Sequence, residues 1–161
     1  MAIDVGSRLP DATFRMMTPS GPTSKTTADI FSGKRVVLFA VPGAFTPTCS
    51  NSHLPGFMTH LDAFKAKGID TIACTAVNDV HVLNAWAQAT GAYGRITFLS
   101  DGNGDFARAI GLDQDGTPSG LGLRSKRYAM LVEDGVVKVL NVDEQRGSTE
   151  MSASDVMLAA I

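Results

Sequence analysis

A chain of 161 residues, 44% hydrophobic and 19% charged, carries enough apolar side chains for one compact domain with a core. Its formal charge of −2 advertises no basic surface for nucleic acid or anionic lipid. No apolar run approaches the ~20 residues of a membrane helix, and the opening "MAIDVGSRLP" lacks the basic-then-apolar order of a secretory leader.

In chain order, "ATFRMMTPSGPTSK" reads as a small hairpin turning at its Gly-Pro pair. "KRVVLFAV", residues 34–41, is a continuous apolar run ending at Pro42-Gly43, the pattern of a central strand buried on both faces. From Thr48 to Lys67, Leu54, Phe57, Met58, Leu61 and Phe64 recur every three or four positions, which predicts a helix with one apolar stripe. Pro55 should kink it, and Gly68 should stop it. "IDTIACTAV", 69–77, is a second buried strand, and Asn78 or Asp79 can cap a helix running to about Gln88. "RITFLSD", 95–101, is a strand and "GDFARAIGL", 104–112, a short helix, followed by a Gly-rich loop, "DQDGTPSGLGLRS". "RYAMLVEDGVVKVLNVD" predicts two strands joined at Asp134-Gly135, and Ser152 or Ser154 can cap a terminal helix ending at Ile161. Strands alternating with helices predict a single α/β domain, 1–161, with a mixed sheet covered on both faces. In such folds chemistry gathers at the carboxyl ends of central strands.

Two cysteines, Cys49 and Cys74, are too few for a disulfide scaffold. A reducing, cytoplasmic setting is expected, in which a functional cysteine is catalytic or redox-active. Cys49 stands after the 34–41 strand, at the start of the predicted helix. Thiol nucleophiles react as thiolates, which the positive end of a helix and a neighbouring cation both favour. Thr46 and Thr48 add hydroxyls, while Pro42 and Pro47 stiffen the loop. The alternative is a small buried hydrophobe. Ser52 follows Cys49 by three, so no dithiol pair exists there.

"VPGAFTPTCSNSHLPGF" resembles the peroxidatic-cysteine signature of peroxiredoxins, thiol peroxidases of thioredoxin-like fold. "GLGLRSKRYAMLVEDGVVKVLNVD", "AVNDVHVLNAW" and "LSDGNGDFARAIGL" resemble the peroxiredoxin 5 (type II) branch, so the likeness covers nearly the whole chain. The resemblance implies that Cys49 attacks the peroxide O–O bond and becomes a sulfenic acid. It implies that Thr46 hydrogen-bonds thiolate and peroxide, that Pro42 walls the pocket, and that Arg127 holds the thiolate and orients the substrate. Arg124, its rival, reads as a solvated loop charge. Hydrogen peroxide and alkyl hydroperoxides are the implied substrates, with no cofactor.

Branch members that carry a resolving cysteine place it after "NVD", where this chain has Met151 in "GSTEMSAS". The departure implies a one-cysteine enzyme resolved by an outside thiol, glutathione with glutaredoxin or thioredoxin. A homodimer is implied too. Phe45 and Leu121 are candidate pocket residues, with packing or a dimer contact as the alternative. His53, one helical turn past Cys49, invites a Cys–His pair, but no acidic orienter stands nearby and it reads as structural. Zinc is not expected, because His60 and His81 lie in unrelated segments. Cys74, mid-strand, reads as core. A redox sensor using the same cysteine, or a noncatalytic binding module, are the other functions the sequence leaves open.

Overall fold

The computed structural model describes residues 1–145 and 147–161. Its strands are built where β-branched and aromatic residues run together: β3 (Arg35–Ala40), β4 (Thr71–Ala76) and β5 (Thr97–Ser100) lie parallel at the centre. The antiparallel strands β1 (Thr13–Thr18), β2 (Gly21–Thr26), β8 (Arg127–Glu133) and β9 (Val136–Asp143) complete a seven-stranded sheet in the order β2-β1-β5-β4-β3-β8-β9. The period-two alternation of side chains divides the core. Val37, Phe39, Ile72, Cys74, Ala129 and Leu131 face one layer. That layer holds helices α2 (Leu54–Thr59), α3 (Leu61–Ala66), α4 (Val80–Thr90) and α6 (Ser154–Ala160), contributing Phe57, Phe64, Trp86 and Met157. Val36, Leu38, Ala73, Tyr128 and Met130 face the other, against Ile30 and Phe31 of α1 (Thr27–Phe31) and Phe106 of α5 (Asp105–Ala109). This is the mixed sheet, covered on both faces, that the sequence predicts.

Four local expectations are corrected. The predicted 48–67 helix does not bend at Pro55: Cys49–His53 forms a π turn, closed by the Leu54 amide on the Cys49 carbonyl, and the break falls at His60 (φ −102, ψ 13). A proline cannot donate to the i−4 carbonyl and its ring crowds that oxygen, and a widened turn just before it relieves both problems. The 113–125 stretch is no open loop. β6 (Asp113–Asp115) pairs with β7 (Leu123–Ser125) around a 3₁₀ turn, Thr117–Ser119, with Gly120 and Gly122 at positive φ where other residues are strained. The first hairpin turns at Pro19-Ser20, since Thr18 faces Gly21. Neither Ser152 nor Ser154 caps α6: its N-cap is Ala153, and the Ser152 hydroxyl is taken by Asp143. Helix α1 went unpredicted, although Thr26 and Asp29 form a reciprocal capping box there.

Candidate active site

Antiparallel pairing of β3 with β8 sets Ala40 opposite Tyr128. The end of β3 therefore meets the start of β8, and Arg127 arrives beside the loop that follows Val41. That is how residues 78 apart come into contact. A helical turn begins at Pro47, the Ser50 amide donates to the Thr46 carbonyl (3.0 Å), and Cys49 sits in this first turn. Trp86 of α4, wholly buried, fastens the turn through Nε1–H to Ser50 Oγ (3.0 Å).

Two donors converge on the Cys49 sulfur, Arg127 Nη2 at 3.0 Å and Thr46 Oγ1 at 2.9 Å. Thr46 Oγ1 also lies 2.7 Å from the Gly43 carbonyl. One hydroxyl hydrogen cannot serve both: opposite a thiol, it can point at Gly43 and accept S–H; opposite a thiolate, it turns to the sulfur. Pro42 is half-buried at the end of β3.

Arg127 is 5% exposed, and no carboxylate pairs with it among the described residues. Its second contact is neutral: Nη1 donates to His53 Nδ1 (3.0 Å), while His53 Nε2–H donates to the Ser152 carbonyl (3.0 Å). A buried guanidinium without a counter-charge is costly. Besides His53, the group it touches is the Cys49 sulfur, at hydrogen-bonding distance.

His53 is thus no base. Burial first, and then the Arg127 charge, lower its pKa from 6.5 to about 3 against the Ser152 carbonyl and Asp143, which pull upward. Protonation of His53 is resisted in the folded chain and free in the unfolded one, so its stability contribution is present above 6.5 and is lost as pH falls below that value. Two units lower, the loss amounts to ~2–3 kcal/mol. Urea titrations at stepped pH should show this slope in the wild type and a flatter one in His53→Phe; parallel slopes would refute it.

The remaining candidates make no hydrogen bond to the Cys49 sulfur. Arg124 is not a solvated loop charge. The β6–β7 hairpin folds it against the strand ends, where Nε donates to Leu121 O (2.9 Å) and Nη1 lies 3.4 Å from both the Pro42 and Val77 carbonyls. A Cβ on Gly43 would come within 2.9 Å of that Nη1, so glycine lets the clamp close. Phe45 (54% exposed) and Leu121 (37%) face outward, Phe45 with the unusual φ of 64. Cys74 is wholly buried in β4, and burial pushes its thiol pKa well up. A cavity of about 270 Å³ lies away from these residues, between α4 and the β1–β5 seam. Sequence reasoning missed the anchoring of Arg127 by His53 and of Ala44 N by Asn78 Oδ1 (2.9 Å). The "NSHLPG" histidine was the visible signal, and its partner 74 residues away was not.

Residues 4–157 match the Redoxin family. Peroxiredoxin-2E, chloroplastic, from Arabidopsis thaliana is 48% identical over 98% of this chain and 69% of its own length. Reduced Prx3 from Vibrio vulnificus, solved in complex with H2O2, superposes with a TM-score of 0.94 at 47% identity, covering 98% of both chains. Peroxiredoxin 5 from Alvinella pompejana gives 0.86 at 34%, over 98% of this chain and 97% of that one. A thioredoxin-like sheet with a cysteine, a threonine and an arginine gathered at its strand ends, in a chain this similar to those proteins, belongs to the peroxiredoxins, the family of thiol peroxidases.

Proposed function

We propose that the chain is a type II, one-cysteine peroxiredoxin that reduces hydrogen peroxide and alkyl hydroperoxides with Cys49, working as a single domain in a reducing compartment such as the cytoplasm. The observation that carries this reading is the pair of donors on the Cys49 sulfur, one of them a buried guanidinium with no carboxylate partner among the described residues. The Cys49 thiolate attacks one peroxide oxygen in line with the O–O bond. The S–O bond forms as O–O breaks, and the leaving alkoxide or hydroxide takes a proton to become alcohol or water. Arg127 stabilises the charge passing to that oxygen, and Thr46 keeps its hydrogen on the sulfur until the attack. Pro42 walls the pocket, with Phe45 and Leu121 at its rim.

The Cys49 sulfenic acid is then resolved by a thiol from outside. One thiol condenses with it, releasing water and forming a mixed disulfide; a second thiol attacks that disulfide and frees Cys49. Burial of Cys74 in a central strand, and Met151 where a resolving cysteine would stand, favour this route. Glutathione with glutaredoxin is the reductant we assign, with thioredoxin the competitor. Exposed Phe45 and Leu121 suit a homodimer contact beside the site.

NADPH-coupled peroxide consumption, with glutathione–glutaredoxin and separately with thioredoxin, tests both donor and mechanism. Cys74→Ser should turn over at the wild-type rate. Lost turnover in that variant, or a Cys49–Cys74 disulfide after peroxide treatment, overturns the one-cysteine route. Slow recycling with every donor would point instead to a peroxide sensor.

A further inference from the structure

Asp143 ends β9 directly opposite Arg127 in the strand ladder, yet its carboxylate turns away from the arginine to the segment that follows. Oδ1 accepts from the Met151 amide (2.9 Å) and the Ser148 hydroxyl (3.2 Å), and Oδ2 from the Ser152 amide (2.9 Å) and the Ser152 hydroxyl. Burial raises the pKa of this carboxyl, but the hydrogen bonds outweigh it and hold the value below the ordinary one. Ser152 is fully buried, and its carbonyl accepts the Nε2–H of His53, whose Nδ1 accepts from Arg127 Nη1. A continuous run of hydrogen bonds thus joins Asp143 to the Cys49 sulfur through Ser152, His53 and Arg127.

From this we propose that Asp143 is a positioning residue for the peroxide site, fixing the Ser152 carbonyl so that His53 takes one tautomer and presents a lone pair to Arg127. The inference rests on the peroxidase reading for its consequence, but its geometry is tested without peroxide. Both carboxylate oxygens accept from backbone amides, so an amide side chain cannot replace the carboxylate. Whichever way an asparagine is turned, its NH₂ faces one of two N–H groups. The sign of the effect separates this role from a plain field effect. Removing a negative charge near the site would by itself only favour the Cys49 thiolate, so a plain field effect predicts no loss of thiolate. Loss of positioning slows alkylation.

Iodoacetamide alkylation of reduced protein at neutral pH reads the sulfur directly. Both cysteines are buried, so the assay is run in a Cys74→Ser background, where any alkylation is at Cys49. Asp143→Asn should alkylate about tenfold more slowly than wild type, with the same direction of change in peroxide rate. In a His53→Phe background, where the connection is already cut, Asp143→Asn should cost little more. A faster or unchanged rate in Asp143→Asn, or losses that simply multiply in the double variant, overturns the proposal. Should Asp143→Asn fail to fold, the imidazole ¹⁵N spectrum of the wild type decides. The proton on Nε2, protected from exchange, supports the relay; the proton on Nδ1 overturns it. Alkylation that follows the proposal without rapid peroxide consumption would sink the peroxidase reading and leave the positioning role standing.

Discussion

Cys49→Ser should abolish thiol-dependent peroxide consumption and leave the fold intact. The side chain is wholly buried and the replacement is slightly smaller, so packing changes little. The chemistry changes completely. A serine hydroxyl has no accessible anion at neutral pH and does not displace a peroxide oxygen to give a recyclable species. The second cysteine cannot substitute, because Cys74 lies inside β4 with burial holding its thiol protonated. Stopped-flow mixing of reduced protein with hydrogen peroxide checks this, with a thermal melt to show the variant folded. Residual turnover in Cys49→Ser would move the nucleophile elsewhere.

Arg127→Gln should lower the second-order rate with hydrogen peroxide by about 10²–10³-fold, the usual cost of removing one preorganised donor from a site of developing charge. Gln keeps a donor amide but loses both the charge and the fork that spans Cys49 Sγ and His53 Nδ1. Arg127→Lys should fall between, because an ammonium restores charge without reaching both partners in one plane. The ordering wild type, Lys, Gln is therefore the result expected. A Gln variant as fast as wild type would mean the guanidinium is structural. His53 loses its donor in either variant, so melts must accompany the rates.

Much of this arrangement was legible in the sequence, for physical reasons. Continuous apolar runs such as 34–41 and 69–77 announce strands buried on both faces, and β3 and β4 are those strands. Asp134-Gly135 announced its hairpin because both residues must adopt positive φ, and they do, at 48 and 78. Cys49 was placed by its position after a strand, before a helix. What could not be seen was anything that depends on distant segments meeting. The π turn precedes a proline, and its Ser50 also accepts a hydrogen bond from the distant Trp86 of α4. Ser152 looked like a helix cap because serine prefers that place, whereas a carboxylate nine residues earlier claims it. Arg124 looked solvated because a Gly-rich stretch reads as open loop, until β6 and β7 pair and lay it across the strand ends. The arginine opposite Cys49 was named through the family resemblance; spacing alone offered no way to choose it over its neighbour three residues before.

The most direct test of the central claim, that a buried guanidinium holds the sulfur at position 49 as an anion, is the ultraviolet thiolate band of the reduced protein at neutral pH. Wild type minus Cys49→Ser isolates that sulfur. A difference band present at neutral pH, and lost when Arg127→Gln is used in place of the wild type, is the result expected. No difference between wild type and Cys49→Ser at neutral pH would contradict it.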